Sequence, residues 1–318
     1  LFDPSLLPGQ PDLTAALLDQ ISATVPIVVM NASQHFFYVN SPAYAAAGIT
    51  ASTPNPPGGD YGARNGTLTG IVAENAAMLS FIKVLPPLTP EVIATAITGI
   101  AAMAATQGVT YVHEAATGAI AGVKEVDLLH QTFGQSGFPI RGSMSLWGER
   151  LADFTAAGIM PGAGDDRLRS QTIKWVSDGS NQGYTGFMRE NYLGRDTRGL
   201  ANFTPEQLAA HFVATVAAGW PIMCHANGDA AMDMVMAAFA STAKLPSWDP
   251  AKRHRIEHSS LLHDEHIAAM SSLGVTPSFL MNHVRLWGRV MRDDILGAER
   301  ANLLDRYGSA VKAGLRAS

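Results

Sequence analysis

Histidines close two short strand-like runs of the sequence, and a lysine lies within a third. The first two runs end at His225 and His258, and Lys174 lies between apolar neighbours. Neutral imidazole is the commonest protein ligand of zinc, and neighbouring strand ends bring side chains close enough to share one cation. One such histidine alone is more often a hydrogen-bonded structural residue, but two on consecutive strands favour a metal site. We therefore predict that His225 and His258 hold a metal ion.

Lys174 is unusual because a buried lysine is costly unless its charge is paired or removed. One interpretation is an ion pair with Asp178 or another nearby carboxylate. The other is reaction with carbon dioxide, which converts the amine into an anionic carbamate able to bridge metal ions. The sequence leaves both interpretations open.

Further polar candidates follow the same pattern. His113 and Glu114 come directly after a short β-rich run that ends at Val112. Glu114 and Asp178 could orient the histidines by hydrogen bonding. Cys224 alternates away from His225 and is interpreted as a packed apolar residue. The remaining histidines on predicted helices or loops are expected to be solvated: His130, His211, His254, His263 and His266.

Predicted helices and strands alternate from about residue 90 onward, which implies right-handed βαβ units and a parallel sheet. Thr89-Pro90 and Thr204-Pro205 each supply an N-cap and a proline at the first helical position. The segment from 298 to 307 is predicted to be one helix, and residues 314–316 the start of a final strand. No glycine-rich nucleotide-binding motif follows any strand. About seven strand-like runs after residue 100 favour a (β/α)8 barrel over an open sheet.

The first 88 residues have a different character, because Pro54 to Gly70 is rich in proline and glycine. We predict that residues 1–88 form an elaboration over the barrel mouth and that residues 89–318 form the barrel. The first residue is Leu1, so a signal peptide cannot be assessed from the sequence, and a cytoplasmic location is favoured.

Composition narrows the classes of partner. The 318 residues are 47% hydrophobic and 15% charged, with a formal net charge of -5. No run of lysine or arginine exists, which argues against nucleic acid and anionic membranes as partners. No long apolar stretch predicts a transmembrane helix. The single cysteine permits neither an intrachain disulfide nor a thiolate zinc cluster. A surface so sparse in charge suits an enzyme with buried subunit contacts, so a homo-oligomer is expected.

Several separated motifs resemble, in the same order, those of the amidohydrolase superfamily, and in particular the branch of the N-substituted formamide deformylases. The resemblance covers nearly the whole chain and rests on several motifs together. They are the segment 26–49 with His35, Pro56 to Glu74, Gly108-Val109-Thr110 with His113, Lys174 with Asp178-Gly179-Ser180, His225 with Gly228-Asp229, and Arg255-Ile256-Glu257-His258.

The resemblance implies an α/β TIM-type barrel that uses one or two divalent metal ions, with zinc favoured. It makes Lys174 on strand four the candidate carbamylated bridge, and His225 and His258 on strands five and six the other ligands. These three residues are also the predicted catalytic residues. The candidate substrate contacts are His35, His113, Asp178 and His283. Two parts of the family pattern are not found in these residues: the strand-one HxH pair and the aspartate after strand eight. The chain is therefore expected to be part of a longer protein.

The predicted activity is hydrolysis, by metal-activated water, of a non-peptide C–N bond in a small amide. An N-substituted formamide or N-acyl compound is the expected partner. Two alternatives stay open. One is a catalytically inactive barrel that binds a ligand or scaffolds an assembly. The other is a deaminase of the same superfamily, which usually needs one metal ion and no carbamylated lysine, so Lys174 argues against it.

Overall fold

The computed structural model describes residues 2–7 and 13–318 of the chain. The strands of its N-terminal part are β1 (Val28–Met30), β2 (Phe36–Val39), β3 (Ala63–Arg64), β4 (Thr67–Leu68) and β5 (Ile71–Ala73). The helices there are α1 (Ala15–Asp19), α2 (Ser41–Ala47) and α3 (Asn75–Ile82). Strands β1, β2 and β5 form an antiparallel sheet, and β3 and β4 pair as a hairpin.

Strand β2 is buried on both faces, which is why it has four consecutive apolar side chains. Because successive side chains of a strand point to opposite faces, Phe37 and Val39 pack into one apolar cluster and Phe36 and Tyr38 into another. The ring of Phe36 also lies directly against Gly183 of the larger part of the molecule. The prediction that residues 1–88 elaborate a barrel mouth stays a prediction.

The larger part of the molecule holds a six-stranded parallel sheet whose strands follow one another in sequence order. They are β6 (Tyr111–Thr117), β7 (Arg141–Trp147), β8 (Leu168–Val176), β9 (Ile222–Ala226), β10 (Arg255–His258) and β11 (Thr276–Phe279). Every neighbouring pair is parallel. The sheet curls into a half-barrel, so the predicted α/β, TIM-like architecture is confirmed at that level.

Helices connect these strands. They are α4 (Pro90–Thr106), α5 (Val123–Phe133), α6 (Leu151–Ala156), α7 (Pro205–Ala217), α8 (Asp229–Thr242), α9 (Asp264–Leu273), α10 (Gly288–Val290), α11 (Ala298–Ala301) and α12 (Tyr307–Lys312). Short 3-10 turns cover Pro4–Leu6, Gly148–Arg150 and Pro250–Lys252, and π-helical turns cover His283–Trp287 and Met291–Ile295. Among the described helices, none is both long and apolar enough to cross a bilayer.

The predicted helix starts are confirmed. The side chain of Thr89 accepts a hydrogen bond from the Val92 amide at the start of α4. Thr204 and Gln207 form a capping box at the start of α7, so each side chain satisfies a backbone N–H that the helix leaves unpaired. Apolar faces of α7 and α8 then pack on the sheet, with Phe212 and Phe239 among the fully buried residues.

The prediction of a single helix from 298 to 307 was wrong. Helix α11 ends at Ala301, and the next residues pair with the loop after β10 instead. The Leu262 amide donates to the Leu303 carbonyl at 3.1 Å, and the Asp305 amide donates to the Ser260 carbonyl at 2.8 Å. Asp305 adopts a φ of 45°, which a helix does not allow. Tertiary hydrogen bonds therefore override the local helical propensity.

Two sheet predictions also need adjustment. Strand β6 continues to Thr117, so His113 lies inside the strand and not at its carboxyl end. No strand is assigned over residues 314–318, yet the Ser318 carbonyl accepts from Phe279 at 2.7 Å and the Ser318 amide donates to Pro277 at 3.3 Å. The last residues therefore run beside β11 without forming a full strand.

The expectation that all helix and loop histidines are solvated was wrong for two of them. His254 is fully buried and stacks on Trp248 with ring centroids 4.0 Å apart, and its Nδ1 accepts from the Ile222 amide at 3.0 Å. His266 is also buried and bonds to Asp233 at 2.8 Å. Hydrogen bonds of this kind offset the cost of burying a polar ring.

Candidate functional site

Four predicted histidines come together at the carboxyl ends of β9, β10 and β11. His225 of β9 and His258 of β10 have ring centroids 4.5 Å apart. His35, from the loop before β2, lies 4.9 Å from His225, and His283, in the π-helical turn after β11, lies 6.2 Å from His258. The rings thus form a row, with the N-terminal part supplying one end.

The backbone at the end of β10 is strained. His258 has a φ of 69° and Ser259 a φ of 46°, values that side-chain-bearing residues rarely adopt. Such strain persists only where the surrounding structure enforces it, and it concentrates at functional sites.

Lys174 lies in an unusual environment for a lysine within β8. It is only 5% exposed, and it makes no hydrogen bond or ion pair with any residue that the structure describes. Burial lowers the pKa of its amine, and the Glu257 carboxylate opposes that shift. The alternative ion pair with Asp178 is not formed. We name Lys174, His225 and His258 the candidate centre.

The two histidines of the candidate centre are held neutral. Burial, followed by the neighbouring ring of His258, keeps the pKa of His225 well below its usual range. Burial, followed by the charge of Lys174, does the same for the pKa of His258. Neutral imidazole is the form that binds metal ions.

Asp178 fixes the loop beneath His225. Its carboxylate accepts the amides of Phe187, Asn227 and Gly228 at 2.9, 3.0 and 2.8 Å. Its Oδ1 lies 3.5 Å from Nε2 of His225. Burial raises the pKa of this carboxyl to about 7, although the three amides favour its charged form. The geometry places Asp178 behind the histidine, where it holds the loop.

His113 lies deeper in the sheet than the other candidates. Both of its ring nitrogens are engaged, Nδ1 with Ser143 at 2.6 Å and Nε2 with Ser145 at 2.7 Å. Burial, then the charges of Arg255 and Lys174, lower its pKa to about 4. With both nitrogens occupied, this geometry gives no support to the predicted substrate contact.

His35 has a carboxylate partner, Glu74, for which the sequence analysis predicted no role. Glu74 is fully buried, and its Oε2 lies 3.1 Å from Nδ1 of His35. Burial lowers the pKa of His35, but Glu74 more than offsets this, so the pKa is raised overall. The second carboxylate oxygen, Oε1, has no hydrogen-bond partner among the described residues and lies against Gly179.

A chain of polar groups behind the row was missed from the sequence. The Gly179 carbonyl contacts His225 Nε2 at 2.9 Å and Asn227 Nδ2 at 2.6 Å. Ser260 Oγ donates to Asn227 Oδ1 at 2.6 Å and lies 3.1 Å from His283 Nδ1. Of these groups, only Gly179 lies in a motif that the sequence analysis singled out, Asp178-Gly179-Ser180.

The donors at the candidate centre fit a metal ion only in part. Within residues 2–7 and 13–318, no group of three or more histidine, cysteine or carboxylate side chains is placed to hold one ion. Two neutral imidazoles from adjacent strands are present, with an unpartnered buried amine beside them. The donor chemistry becomes that of a divalent site when the Lys174 amine carries a carbamate.

A cavity of about 650 Å³ is lined by Phe36, the residue that follows His35 in the sequence. None of the three residues of the candidate centre lines it. Its wall includes Phe36, Tyr38, Gln182, Tyr184 and Arg195. The cavity therefore offers room and aromatic surface at Phe36, and not at the candidate centre itself.

Comparison with known proteins gives consistent matches. The sequence profile of the amidohydrolase family matches residues 2–318. YtcJ of Bacillus subtilis, which is named as an amidohydrolase, is 26% identical over 256 residues, or 80% of this chain and 47% of that protein. The exoenzymes regulatory protein AepA of Pectobacterium carotovorum is 26% identical over 275 residues, or 82% of this chain and 56% of its own length. The chain spans about half the length of these relatives.

Two crystal structures share the fold. They are uncharacterized metal-dependent hydrolases from Pyrococcus horikoshii and Pyrococcus furiosus, with sequence identities of 21% and 20% and TM-scores of 0.68 and 0.67. The matches cover 95% and 96% of this chain but only 57% and 60% of those chains. At these identities the likeness is one of fold.

Proposed function

The chain belongs to the amidohydrolase family, and from that premise we propose that it acts as a metal-dependent hydrolase of a small amide. The bond cleaved is a non-peptide C–N bond, with N-substituted formamides and N-acyl compounds as the expected substrates. The observation that carries the proposal is the candidate centre, where the buried Lys174 amine on β8 lies beside the strand of His225, whose neutral ring is 4.5 Å from that of His258 on the strand beyond. The two histidines stand at strand ends, where TIM-type barrels carry catalytic groups.

A divalent ion, zinc by preference, would be held by His225, His258 and a carbamate on Lys174. When bound, such an ion polarises a carbonyl group and lowers the pKa of water toward about 7. The chain contributes the conditions for that chemistry. Burial keeps both imidazoles neutral, and it favours the uncharged Lys174 amine, which is the form that reacts with carbon dioxide.

The histidines at the two ends of the row are the proposed substrate contacts. His35 is bonded to Glu74 through Nδ1, which leaves Nε2 on the other side of its ring for a bound molecule. His283 lies at the opposite end, and its Nε2 makes no hydrogen bond within the described part of the chain. The cavity lined by Phe36, with its aromatic wall, suits an apolar or aromatic substituent of the amide.

Other expectations stay predictions. They concern a strand-one histidine pair and a strand-eight aspartate that would complete the ligand set, a homo-oligomer, a cytoplasmic location, and the absence of nucleic-acid or membrane partners. The activity of the whole protein is likewise part of the proposal, because the chain spans about half the length of its relatives.

A binding or scaffold protein is the second candidate function. Two observations favour it: the described residues contain no complete group of metal-binding side chains, and one relative is named as a regulatory protein. A deaminase is disfavoured, because that chemistry leaves the buried, unpartnered Lys174 without a role.

Metal analysis combined with a substrate screen separates these candidates. The purified protein is assayed for bound metal and for hydrolysis of formamides, N-acyl amino acids and cyclic amides. We expect His225→Ala and His258→Ala to lose both the metal and the activity. His130→Ala, on α5 and away from the candidate centre, is the matched control and keeps both. Retention of metal and rate by the first two variants would refute the ligand assignment. A metal-free protein that hydrolyses nothing would favour the scaffold.

A further inference from the structure

The polar chain behind the row of rings has a direction that can be deduced atom by atom. It begins at the Gly179 carbonyl, which can only accept hydrogen bonds. The amide group of Asn227 lies 2.6 Å from that oxygen, so the atom facing it must be the donating Nδ2. The carbonyl oxygen of the Asn227 side chain, Oδ1, is thereby turned toward Ser260.

The same logic fixes the hydroxyl of Ser260. Because Asn227 Oδ1 can only accept, the Ser260 hydroxyl hydrogen points to it across 2.6 Å. A hydroxyl has one hydrogen, so Ser260 Oγ can only accept from its other neighbour. That neighbour is Nδ1 of His283, at 3.1 Å. Nδ1 of His283 must therefore carry a proton.

Asp305 stands on the same side of the ring. Its side chain is fully buried, and neither carboxylate oxygen makes a hydrogen bond of normal length within the described residues. The nearest ionisable nitrogen is His283 Nδ1, 3.6 Å from Oδ2. A buried carboxyl that is so weakly paired is costly, yet the loop holds it there at a φ of 45° through the hydrogen bond that the Asp305 amide donates to the Ser260 carbonyl. Asp305 is thus a second acceptor for the proton on Nδ1.

We propose that Asp305 and the Gly179–Asn227–Ser260 chain are positioning groups that hold His283 as the Nδ1–H tautomer. The opposite nitrogen, Nε2, then carries a lone pair and accepts a hydrogen bond from bound substrate. An amide that retains its N–H meets this acceptor, whereas an N-methylated tertiary amide cannot. The substrate preference rests on the proposed function, but the tautomer does not.

Nitrogen NMR tests the tautomer directly and needs no activity. In a sample labelled with ¹⁵N at histidine, two-bond proton–nitrogen correlations separate Nδ1–H from Nε2–H rings at a pH where His283 is neutral. The His283 signals are those missing from His283→Gln. We expect the Nδ1–H pattern in the unmodified protein. An Nε2–H pattern there would overturn the proposal.

Variants then test which groups set the tautomer. Asp305→Asn keeps the shape but introduces a donor, and Ser260→Ala removes an acceptor, so each raises the Nε2–H fraction of His283. Asp127→Asn, an exposed aspartate on α5, is the matched control and leaves the spectrum unchanged. Thermal unfolding verifies that each variant is folded. Spectra of folded Asp305→Asn and Ser260→Ala that match the unmodified protein would refute the positioning role.

The activity arm uses paired secondary and N-methylated amides of the same acid. We expect Asp305→Asn to lower kcat/KM for the secondary amide by about 10- to 100-fold, and the N-methylated amide to be affected much less. Equal losses on both substrates would refute the N–H contact. A protein that hydrolyses neither amide would contradict the proposed function. The tautomer of His283 would still be decided by the NMR spectra alone.

Discussion

Two carboxylate–histidine pairs stand at the two ends of the row of rings, and they are built differently. Glu74 contacts His35 at 3.1 Å, whereas Asp305 lies 3.6 Å from His283. Both acids are buried on backbones of positive φ. In the first pair the histidine pKa is raised, while in the second, burial raises the pKa of Asp305 despite His283.

The difference suggests a division of roles. A close carboxylate makes His35 easier to protonate and therefore suited to donate a hydrogen bond. A more distant carboxylate, with Ser260 beside it, leaves His283 suited to accept one at Nε2. Environments that push the pKa values of similar groups apart are a common way to assign acid and base roles.

Removing Glu74 should have the largest effect. Glu74→Ala leaves a buried histidine without its counter-charge, and breaking such pairs costs about 3 to 5 kcal/mol of unfolding free energy. Because the raised pKa of His35 stabilises the protein below the usual imidazole pKa, the loss is greatest in mild acid and shrinks as pH rises through the folded value. Denaturant unfolding at several pH values measures it. Exposed Glu190→Ala is the control, and equal losses in both variants would contradict the pair.

Histidines without a hydrogen-bonded carboxylate show the effect of burial as the leading cause of a pKa shift, and they sharpen the comparison. The pKa of His113 and that of His254 are each lowered to about 4, with burial as the first cause. Each should therefore remove roughly 3 kcal/mol of stability as the pH falls from the usual imidazole value to about 4. His113→Gln should flatten this part of the stability–pH curve. An unchanged slope would show that His113 is charged in the folded protein.

Gly179 lies between the two pairs, so a methyl group there should disturb both. A Cβ at this position would overlap Glu74 Oε1 and Thr185 Oγ1, and the Gly179 carbonyl starts the chain to His283. We expect Gly179→Ala to cost about 1 to 3 kcal/mol in thermal or denaturant unfolding. Gly99→Ala, in an open helical position of α4, should instead be neutral or stabilising. If Gly179→Ala leaves the unfolding free energy unchanged, the loop that contains residue 179 can move to make room for the methyl group.

The smallest effect on stability is expected from Asp305→Asn. The contact of the carboxyl with His283 Nδ1 is long, at 3.6 Å, and burial already disfavours its charge. The unfolding free energy should change by less than about 1 kcal/mol. Calorimetry of Asp305→Asn and Glu74→Ala side by side measures the difference in stability between the two pairs. A loss as large as that of Glu74→Ala would show that Asp305 serves stability and not the orientation of His283.

Local sequence signals predicted what depends on neighbouring residues. The caps at Thr89 and Thr204 confirmed where two helices begin, because capping is decided within one turn. The strand order and the meeting of His225 with His258 followed from the alternation of helices and strands. These predictions needed only short stretches and one topological rule.

Contacts between residues far apart in the sequence account for the features that sequence analysis did not predict. Asp305 lies in a segment predicted as helix, and only its pairing with Ser260 turns it toward His283. The buried His254 accepts a hydrogen bond from the Ile222 amide, 32 residues away in the sequence. Strand β6 ran past its predicted end, which moved His113 away from the rim. In each case a tertiary partner decided the outcome.

Residues far apart in the sequence meet near the row of rings, where the Trp287 indole donates to Asp3 at 2.9 Å. His35 leaves the ribosome long before His283 and Asp305 are synthesised. The loop that must close between them spans most of the molecule, so its closure depends on the elements in between. We therefore expect the row to assemble late in folding, after the elements between His35 and His283 have formed.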